Sequence, residues 1–351
     1  MTTAIEPHIA TISGSAPGDA ALFVARHGWR DEGPRTLDAI EVSNCESQWL
    51  LGLVERGVLE GGLVLDHDAD AILRSRALAA SMSATTLESR GGAAIAALRD
   101  AGIGTRVIKG VAIAHLDYDD PGDRHFGDID VLVHGSDIAA SVAVLEQAGF
   151  RRHYPEPTAG FDEHLGKGVA LENDEQVVID VHRTLALGYY GTRLPIERLW
   201  DRPQPMAVGD IEVTTMPRLN RFLHCAIHMS LSPSRRISSG LDMCMIATRG
   251  GGIDPDEAIE RSIEWGCDHL LAEAVRATIG WFPDALPIPR LTDWARKRPR
   301  STRDRILAGA YSGRFAGSRL RSLTAIAGVP TLRGRASASR YVLHRNHDAH
   351  K

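Results

Sequence analysis

Residues 108–133 read IKGVAIAHLDYDDPGDRHFGDIDVLV, and this stretch decides the fold. A β-branched run that starts at Arg106 predicts a strand, and Lys109-Gly110 then opens an apolar segment with helical spacing. The polar residues 117–127 predict a loop, and the alternating residues that follow them predict a second strand. The stretch therefore predicts a strand, a helix, a loop and a strand in succession.

The alternation of strands and helices continues on the C-terminal side. Ser136-Asp137 begins an amphipathic helix that Gly149 closes, and QVVIDVH at 176–182 predicts another strand. Gly209-Asp210 predicts the turn of a β-hairpin. This order of elements predicts an α/β (α+β) fold built on a small mixed sheet.

Helical patterns flank this unit on both sides. Apolar residues recur every three or four positions over 45–60 and 66–101, and the glycine pairs at 61–62 and 91–92 are predicted to interrupt the helices. Four more helices are predicted between 218 and 282. The predicted divisions are a loosely ordered lead at 1–40, an N-terminal helical module at 41–101, a core at 102–216, a helical domain at 217–289 and an Arg-rich C-terminal segment at 290–351.

Two acids in the second strand are candidate metal ligands. Asp128 and Asp130 are two positions apart, so in a strand both carboxylates project to one side while Ile129, Val131 and Val133 project into a core. Two carboxylates this close repel each other unless a cation lies between them. The pair therefore indicates a divalent metal, Mg²⁺ or Mn²⁺, with phosphate oxygens of a substrate completing the coordination. A turn or an exposed strand edge would produce the same two-letter pattern.

Asp180 is a third candidate. It lies in the predicted strand at 176–182, from which its carboxylate would reach the first pair. At this place a carboxylate can bind a second metal and accept a proton from an attacking hydroxyl. The three acids are thus predicted to be both catalytic and metal-binding.

The stretch at 108–133 resembles the nucleotidyltransferase superfamily typified by DNA polymerase beta, and more narrowly a bacterial family of uncharacterised nucleotidyltransferases. Members of the narrower family carry a pattern close to L-K-G-x-A, then a Tyr and a Pro-containing loop, then R-x-x-G-D-I-D-L-L-V. The matching elements here are Ile108-Lys109-Gly110, Ala112, Tyr118, Pro121, Arg124, Gly127-Asp128-Ile129-Asp130 and Val131-Leu132-Val133. The resemblance extends over about residues 90–250, through IDVH at 179–182 and LDMCMI at 241–246.

The resemblance implies transfer of a nucleoside monophosphate from a nucleoside triphosphate to an acceptor, with release of pyrophosphate. It implies that Asp128 and Asp130 hold the metals that bridge the triphosphate, and that Asp180 completes the second metal site and activates the acceptor. The wider superfamily has Gly-Gly or Gly-Ser where this chain has Lys109-Gly110. Gly110 would still let the backbone approach a phosphate, and Lys109 would add a positive charge unless it only caps a strand end in solvent.

The other candidate nucleotide-binding residues have alternative roles. Arg124 could clamp a phosphate or pair with Asp128 as scaffold, and Gly127 belongs to the same motif. Lys167 lies between two glycines, where it could reach a phosphate or be solvated. His182 could orient Asp180 or be a packed histidine.

Two other signals do not indicate a site. His224 and His228 are four positions apart but lack the glutamate of a zinc peptidase helix, and Gly250 to Gly252 are most simply a helix stop.

Charge is distributed unevenly along the chain. Its 351 residues include 40 basic and 45 acidic ones, yet residues 290–351 carry 15 basic and 3 acidic residues. This basic segment could contact nucleic acid or another acidic surface, dock on the acidic remainder of the chain, or be solvated. Because chemistry on a small acceptor would not need it, we expect a chain ending near Pro289 to keep triphosphate binding if the segment has few apolar contacts.

Composition limits the classes of protein to which the chain can belong. The four scattered cysteines predict buried thiols, and the absence of a long apolar run or a signal-peptide pattern predicts a cytoplasmic protein without membrane contact. The favoured function is metal-dependent transfer to a small-molecule or peptide acceptor. Transfer onto RNA, docked by the basic segment, and a catalytically idle binding protein of the same fold are the alternatives.

Overall fold

The computed structural model describes residues 18–232, 235–283, 285–311, 319–329, 335, 338 and 339. The helices are α1 Asp19–Ala25, α2 Gly28–Asp31, α3 Ala39–Ser47, α4 Leu51–Leu59, α5 His67–Asp100, α6 Gly110–Asp117, α7 Ile138–Gln147, α8 Phe161–His164, α9 Gly188–Arg193, α10 Arg218–Leu231, α11 Ile237–Thr248, α12 Pro255–Glu264, α13 Asp268–Trp281, α14 Pro289–Lys297, α15 Thr302–Tyr311 and α16 Arg319–Gly328. The strands are β1 Arg35–Leu37, β2 Leu63–Leu65, β3 Arg106–Ile108, β4 Ile129–Leu132, β5 Arg151–Arg152, β6 Gly168–Glu172, β7 Val178–His182, β8 Gln204–Val208 and β9 Ile211–Thr215.

A seven-stranded mixed sheet forms the centre of the molecule. Its order is β5-β6-β7-β4-β3-β9-β8, with β4 parallel to β7, β3 parallel to β9, and the other pairs antiparallel. The predicted mixed sheet is confirmed, as are the strands at 106–108 and 178–182 and the hairpin turn at 209–210. The four helices predicted between 218 and 282 are also present.

The apolar side of β4 anchors the sheet in its core. Ile129, Val131 and Val133 are completely buried, in agreement with the alternation read from the sequence. They belong to a cluster that includes Leu98 on α5 and Leu145 on α7, so two helices cover one face of the sheet. The polar face of β4 is thereby left to the site.

One prediction about the N-terminal helices is wrong. The glycine pair at 91–92 does not interrupt a helix, because α5 runs through it from His67 to Asp100. A Cβ on Gly91 would lie 2.8 Å from the Ile129 side chain, and one on Gly92 would lie 2.7 Å from the Val208 carbonyl oxygen. These glycines let α5 approach the sheet closely, and helix length outweighs their low helix propensity.

Part of the predicted loosely ordered lead is ordered. Residues 1–17 lie outside the described part, but α1 buries Phe23 and Val24 in the larger apolar cluster, and Asp38 forms a capping box with Glu41 at the start of α3. Apolar burial and a good N-cap stabilise this region despite its loop-like composition.

The described part of the Arg-rich C-terminal segment docks on the acidic remainder of the chain. Arg298 pairs with Asp268 at 2.6 Å, and Arg300 pairs with Glu273 at 2.9 Å. Leu291 and Leu307 are buried in the larger cluster, so the apolar contacts with the rest of the chain are not few. The condition for dispensability of this segment is therefore not met, and we expect truncation near Pro289 to expose core residues.

Two further expectations concern residue types rather than elements. All four cysteines, Cys45, Cys225, Cys244 and Cys267, are buried free thiols as predicted. Among the described residues, no helix has the length and apolar character required to cross a membrane.

Candidate active site

The turn between β3 and α6 brings Lys109 to the edge of the site. Lys109 has a φ of 52°, a left-handed value that is uncommon outside glycine, and α6 begins at the next residue. A Cβ on Gly110 would lie 2.9 Å from Cβ of Phe126, so glycine is required where the turn passes the acidic loop. The strained turn directs the lysine side chain toward β4.

Strand register then brings two of the three acids together. Asp130 on β4 and Asp180 on the parallel strand β7 are direct Cα partners. His182, two positions after Asp180, is also on this face, and its Nε2 lies 3.9 Å from Asp180 Oδ2. One donor atom from each of Asp130, Asp180 and His182 lies within 4.8 Å of the others, close enough for the three residues to hold one metal ion.

Asp128 lines the same cavity as Asp130. It lies one residue before β4 begins and is not a member of the group of three, although it is near enough to interact electrostatically with Asp130. Burial, reinforced by Asp130, raises the pKa of Asp128 to about 6. A half-buried carboxylate whose ionised form is disfavoured in this way is a fit position for a cation.

Asp130 has the opposite electrostatic environment. Its side chain is 2% exposed and contacts both Lys109 Nζ and His182 Nε2. Burial opposes ionisation, but Lys109 and His182 together hold the pKa of Asp130 well below its usual range. Burial and the nearby Lys167 and Lys109 lower the pKa of His182 to about 3, so the neutral ring donates from Nε2 and leaves the buried Nδ1 without a partner among the described residues.

The chemistry of the donor atoms decides whether a divalent cation fits this site. Asp130 and Asp180 offer hard carboxylate oxygens, Asp180 is 28% exposed and so accessible to a ligand, and Asp128 supplies a further carboxylate beside them. Hard oxygens that are partly open to substrate suit Mg²⁺ or Mn²⁺ better than soft metals. The donor set therefore fits a divalent cation.

Arg124 has a partner that sequence reasoning missed. It does not pair with Asp128 but with Asp242 on α11, at 3.0 Å between Nη2 and Oδ2. Tyr118 donates its hydroxyl to Oδ1 of the same carboxylate at 2.8 Å. Asp242 lies in the LDMCMI segment that carries the family resemblance, but its contact with Arg124 spans 118 positions, and no local pattern reveals it.

Lys109, Gly110, Arg124, Asp128 and Asp130 share a cavity of 180 Å³ that we call the cationic cavity. Its wall also includes Arg236 and Ser238 at the N-terminus of α11, and Trp49. Arg236 stacks over the Trp49 ring at 5.2 Å and has no ion pair within the described part of the chain. Helix N-termini and unpaired arginines both favour anions, so this cavity is suited to phosphate.

The remaining predicted residues are placed around this cavity. Gly127 is exposed, and a Cβ on it would lie 3.4 Å from the Trp49 ring. His224 and His228 line the cavity, and the buried Nε2 of His224 has no partner among the described residues. The glycines at 250–252 follow the end of α11 with positive φ values, as the helix stop predicts.

Lys167 lies on the other side of the acids. It lines a second cavity, of 490 Å³, together with Asp180 and His182, and has no ion pair among the described residues. Burial, reinforced by Lys109, lowers the pKa of Lys167 to about 8. The lysine is thus a half-buried cation beside the acids and not a fully solvated loop residue.

Comparison with known proteins identifies the class that this fold and site define. A family model described as "Uncharacterised nucleotidyltransferase" matches residues 43–283, so the chain belongs to that family. Membership makes the protein a nucleotidyltransferase and therefore a transferase. No curated protein matches the chain.

Proposed function

We propose that this enzyme transfers a nucleoside monophosphate from a nucleoside triphosphate to a small-molecule acceptor and releases pyrophosphate, with Mg²⁺ or Mn²⁺ as cofactor. The observation that carries the proposal is the parallel register of Asp130 and Asp180 beside a cavity lined by Lys109, Arg124 and Arg236. Clustered carboxylates favour a divalent cation, and clustered cations favour a polyphosphate, so the two halves complement each other.

Asp128, Asp130 and Asp180 would hold the cation, which when bound supplies charge neutralisation for the triphosphate. Asp180 is the most exposed member of the group of three, so its carboxylate is available to accept the proton of an attacking hydroxyl. Lys109, Gly110, Gly127 and the N-terminus of α11 would contact the phosphates. Catalysis then depends mainly on positioning and on charge neutralisation.

Arg124 would stay paired with Asp242 and would neutralise phosphate charge from that fixed position. Its guanidinium is shared between Asp242 and the His125 carbonyl oxygen, which accepts a bond of 2.6 Å. This fixes one wall of the cationic cavity while leaving the arginine beside the phosphate position. We assign Arg124 both scaffold contact and phosphate neutralisation.

The docking of the described part of the Arg-rich segment favours a small acceptor over RNA. Arg290, Arg298 and Arg300 are engaged with carboxylates of the same chain, so they are not displayed as a continuous basic surface. An RNA-docking arm would need such a surface along the phosphates. A catalytically idle protein would not need three acids clustered beside Lys109 and a cavity suited to phosphate.

The test compares wild-type protein with Asp180→Asn. We expect Mg²⁺-dependent triphosphate binding in both proteins, and transfer with pyrophosphate release only in the wild type, because Asp180 serves the attacking side. Nucleotide affinity with Mg²⁺ and release of labelled pyrophosphate, with cell extract as acceptor source, are the measurements. Full pyrophosphate release by Asp180→Asn would contradict its assigned role, and wild-type protein without triphosphate binding would contradict the function.

A further inference from the structure

The second cavity differs in chemistry from the cationic cavity. Its wall is built mainly by apolar side chains from separate segments, including Tyr154, Phe161, Leu165, Leu187 and Ala325, and we call it the apolar cavity. Its volume of 490 Å³ lies within the range of about 300–1,000 Å³ that is common for small-molecule sites. The cavity therefore suits a small molecule with an apolar body.

Polar groups in the apolar cavity are concentrated at the acids. Arg152 is neutralised by Asp162 at 2.6 Å, which leaves Lys167, Asp180 and His182 as the polar end. Tyr154 is 65% exposed and Leu187 is 39% exposed, although both are large and apolar. An apolar ligand in the cavity would cover them, which gives a physical reason for apolar residues at an open position.

The acids separate the two cavities. Asp130 lines the cationic cavity, Asp180 lines the apolar cavity, and His182 contacts Asp130 between them. In-line displacement requires the nucleophile and the leaving group on opposite sides of the phosphorus atom. A phosphorus atom held at the acids, with its leaving group in the cationic cavity, would be attacked from the apolar cavity.

We propose that the apolar cavity binds the acceptor, and that the acceptor is a small molecule with an apolar body and a hydroxyl group. This rests on the proposed function. The hydroxyl oxygen forms a bond to the α-phosphorus of the triphosphate, and the bond from that phosphorus to the bridging oxygen of the β-phosphate breaks. The hydroxyl proton passes to Asp180, and pyrophosphate leaves with the electron pair.

The C-terminal segment contributes to this cavity. Ala325 on α16 forms part of its wall, and the carbonyl oxygen of Ala325 accepts a hydrogen bond of 2.8 Å from the Thr192 hydroxyl on α9. Residues far outside the acid motif therefore shape the acceptor position. The described part of the basic segment therefore serves the acceptor site through the packing of α16.

The binding test uses Leu187→Glu and Tyr154→Glu in the full chain, with Ile263→Glu on α12 as the matched control. Ile263 is 57% exposed and does not line the cavity, so the control adds the same charge elsewhere. The probe is 1-anilinonaphthalene-8-sulfonate, an aromatic anion read by its fluorescence. We expect about tenfold weaker probe binding in both cavity variants, because a charge beside an apolar ligand is costly, and no change in the control.

Nucleotide binding separates this proposal from the proposed function. We expect ATP with Mg²⁺ to bind Leu187→Glu as it binds wild type, and not to displace the probe. Equal probe binding in Leu187→Glu and wild type would overturn the acceptor assignment. Displacement of the probe by ATP, or weaker ATP binding by Leu187→Glu, would assign the cavity to the nucleotide and would also overturn it.

A transfer assay identifies the class of acceptor. Wild-type protein is incubated with α-labelled triphosphates, Mg²⁺ and cell extract, and the label is separated into small-molecule, nucleic-acid and protein fractions. Label in the small-molecule fraction that is lost with Leu187→Glu supports the proposal, whereas label in either macromolecular fraction overturns it. No transfer by wild type contradicts the proposed function itself, while the probe experiment still decides whether the cavity binds an apolar ligand.

Discussion

The cationic and apolar cavities meet at the same acids but have opposite chemistry. One is 180 Å³ and is lined by Lys109, Arg124 and Arg236, and the other is 490 Å³ and is lined mostly by apolar side chains. A triphosphate carries several negative charges and needs the first environment, whereas an uncharged body gains from the second. We therefore propose that the two substrates bind on opposite sides of one reaction centre.

The largest expected effect comes from the acids between the cavities. Asp128→Asn and Asp130→Asn should each reduce pyrophosphate release by orders of magnitude, because either change removes charge from the metal position. Pyrophosphate release at the wild-type rate by either variant would show that these acids do not hold a metal between the two cavities.

The same two variants should differ in stability. Asp130→Asn leaves the half-buried Lys109 without its partner carboxylate, and we expect a loss of about 3 kcal/mol in the metal-free free energy of unfolding. Asp128→Asn relieves repulsion with Asp130 and should unfold at or above the wild-type temperature. Thermal and denaturant unfolding without metal measure both, and equal losses in the two variants would contradict the different environments.

Substitution of Lys109 tests whether the cationic cavity binds the triphosphate. Lys109→Ala should weaken triphosphate binding by about tenfold or more through the lost charge, and Lys109→Arg should restore it only partly, because a planar guanidinium fits the left-handed turn beside Gly110 poorly. Nucleotide titration with Mg²⁺ measures this effect. Alanine and wild-type proteins with the same affinity would exclude a phosphate contact.

Arg236 should give the smallest effect. Arg236→Ala is expected to weaken triphosphate binding several-fold without changing the unfolding temperature, because the side chain lines the cationic cavity without an ion pair in the described part of the chain. Arg235→Ala is the matched control, since Arg235 pairs with Glu273 at 3.1 Å. The same loss in both variants would show a general effect of charge and not a cavity contact.

The sequence predicted the parts of the site that depend on local rules. Strand alternation correctly predicted that Ile129 and Val131 are buried. A β-branched run correctly predicted that Asp180 lies on a strand of the same sheet. Lys109-Gly110 was recognised as a turn between a strand and a helix. Each of these features depends on a few neighbouring residues, so it can be predicted from the local sequence.

Local rules failed where packing decided the outcome. The glycine pair at 91–92 reads as a helix interruption, but close contact with Ile129 and Val208 makes it part of one long helix. Residues 18–40 read as loose because their composition is turn-rich, yet α1 is held by apolar burial that only the assembled core provides.

The sequence by itself determined the family, the three acids and the mixed sheet that carries them, because these depend on residue type and on short, periodic spacing. Tertiary structure alone decided that Arg124 pairs with Asp242, that Arg236 joins the cationic cavity, and that Ala325 closes the apolar one. The physical reason is that these contacts join segments more than a hundred positions apart, and their free energy comes from burial and charge pairing that exist only once the chain has folded.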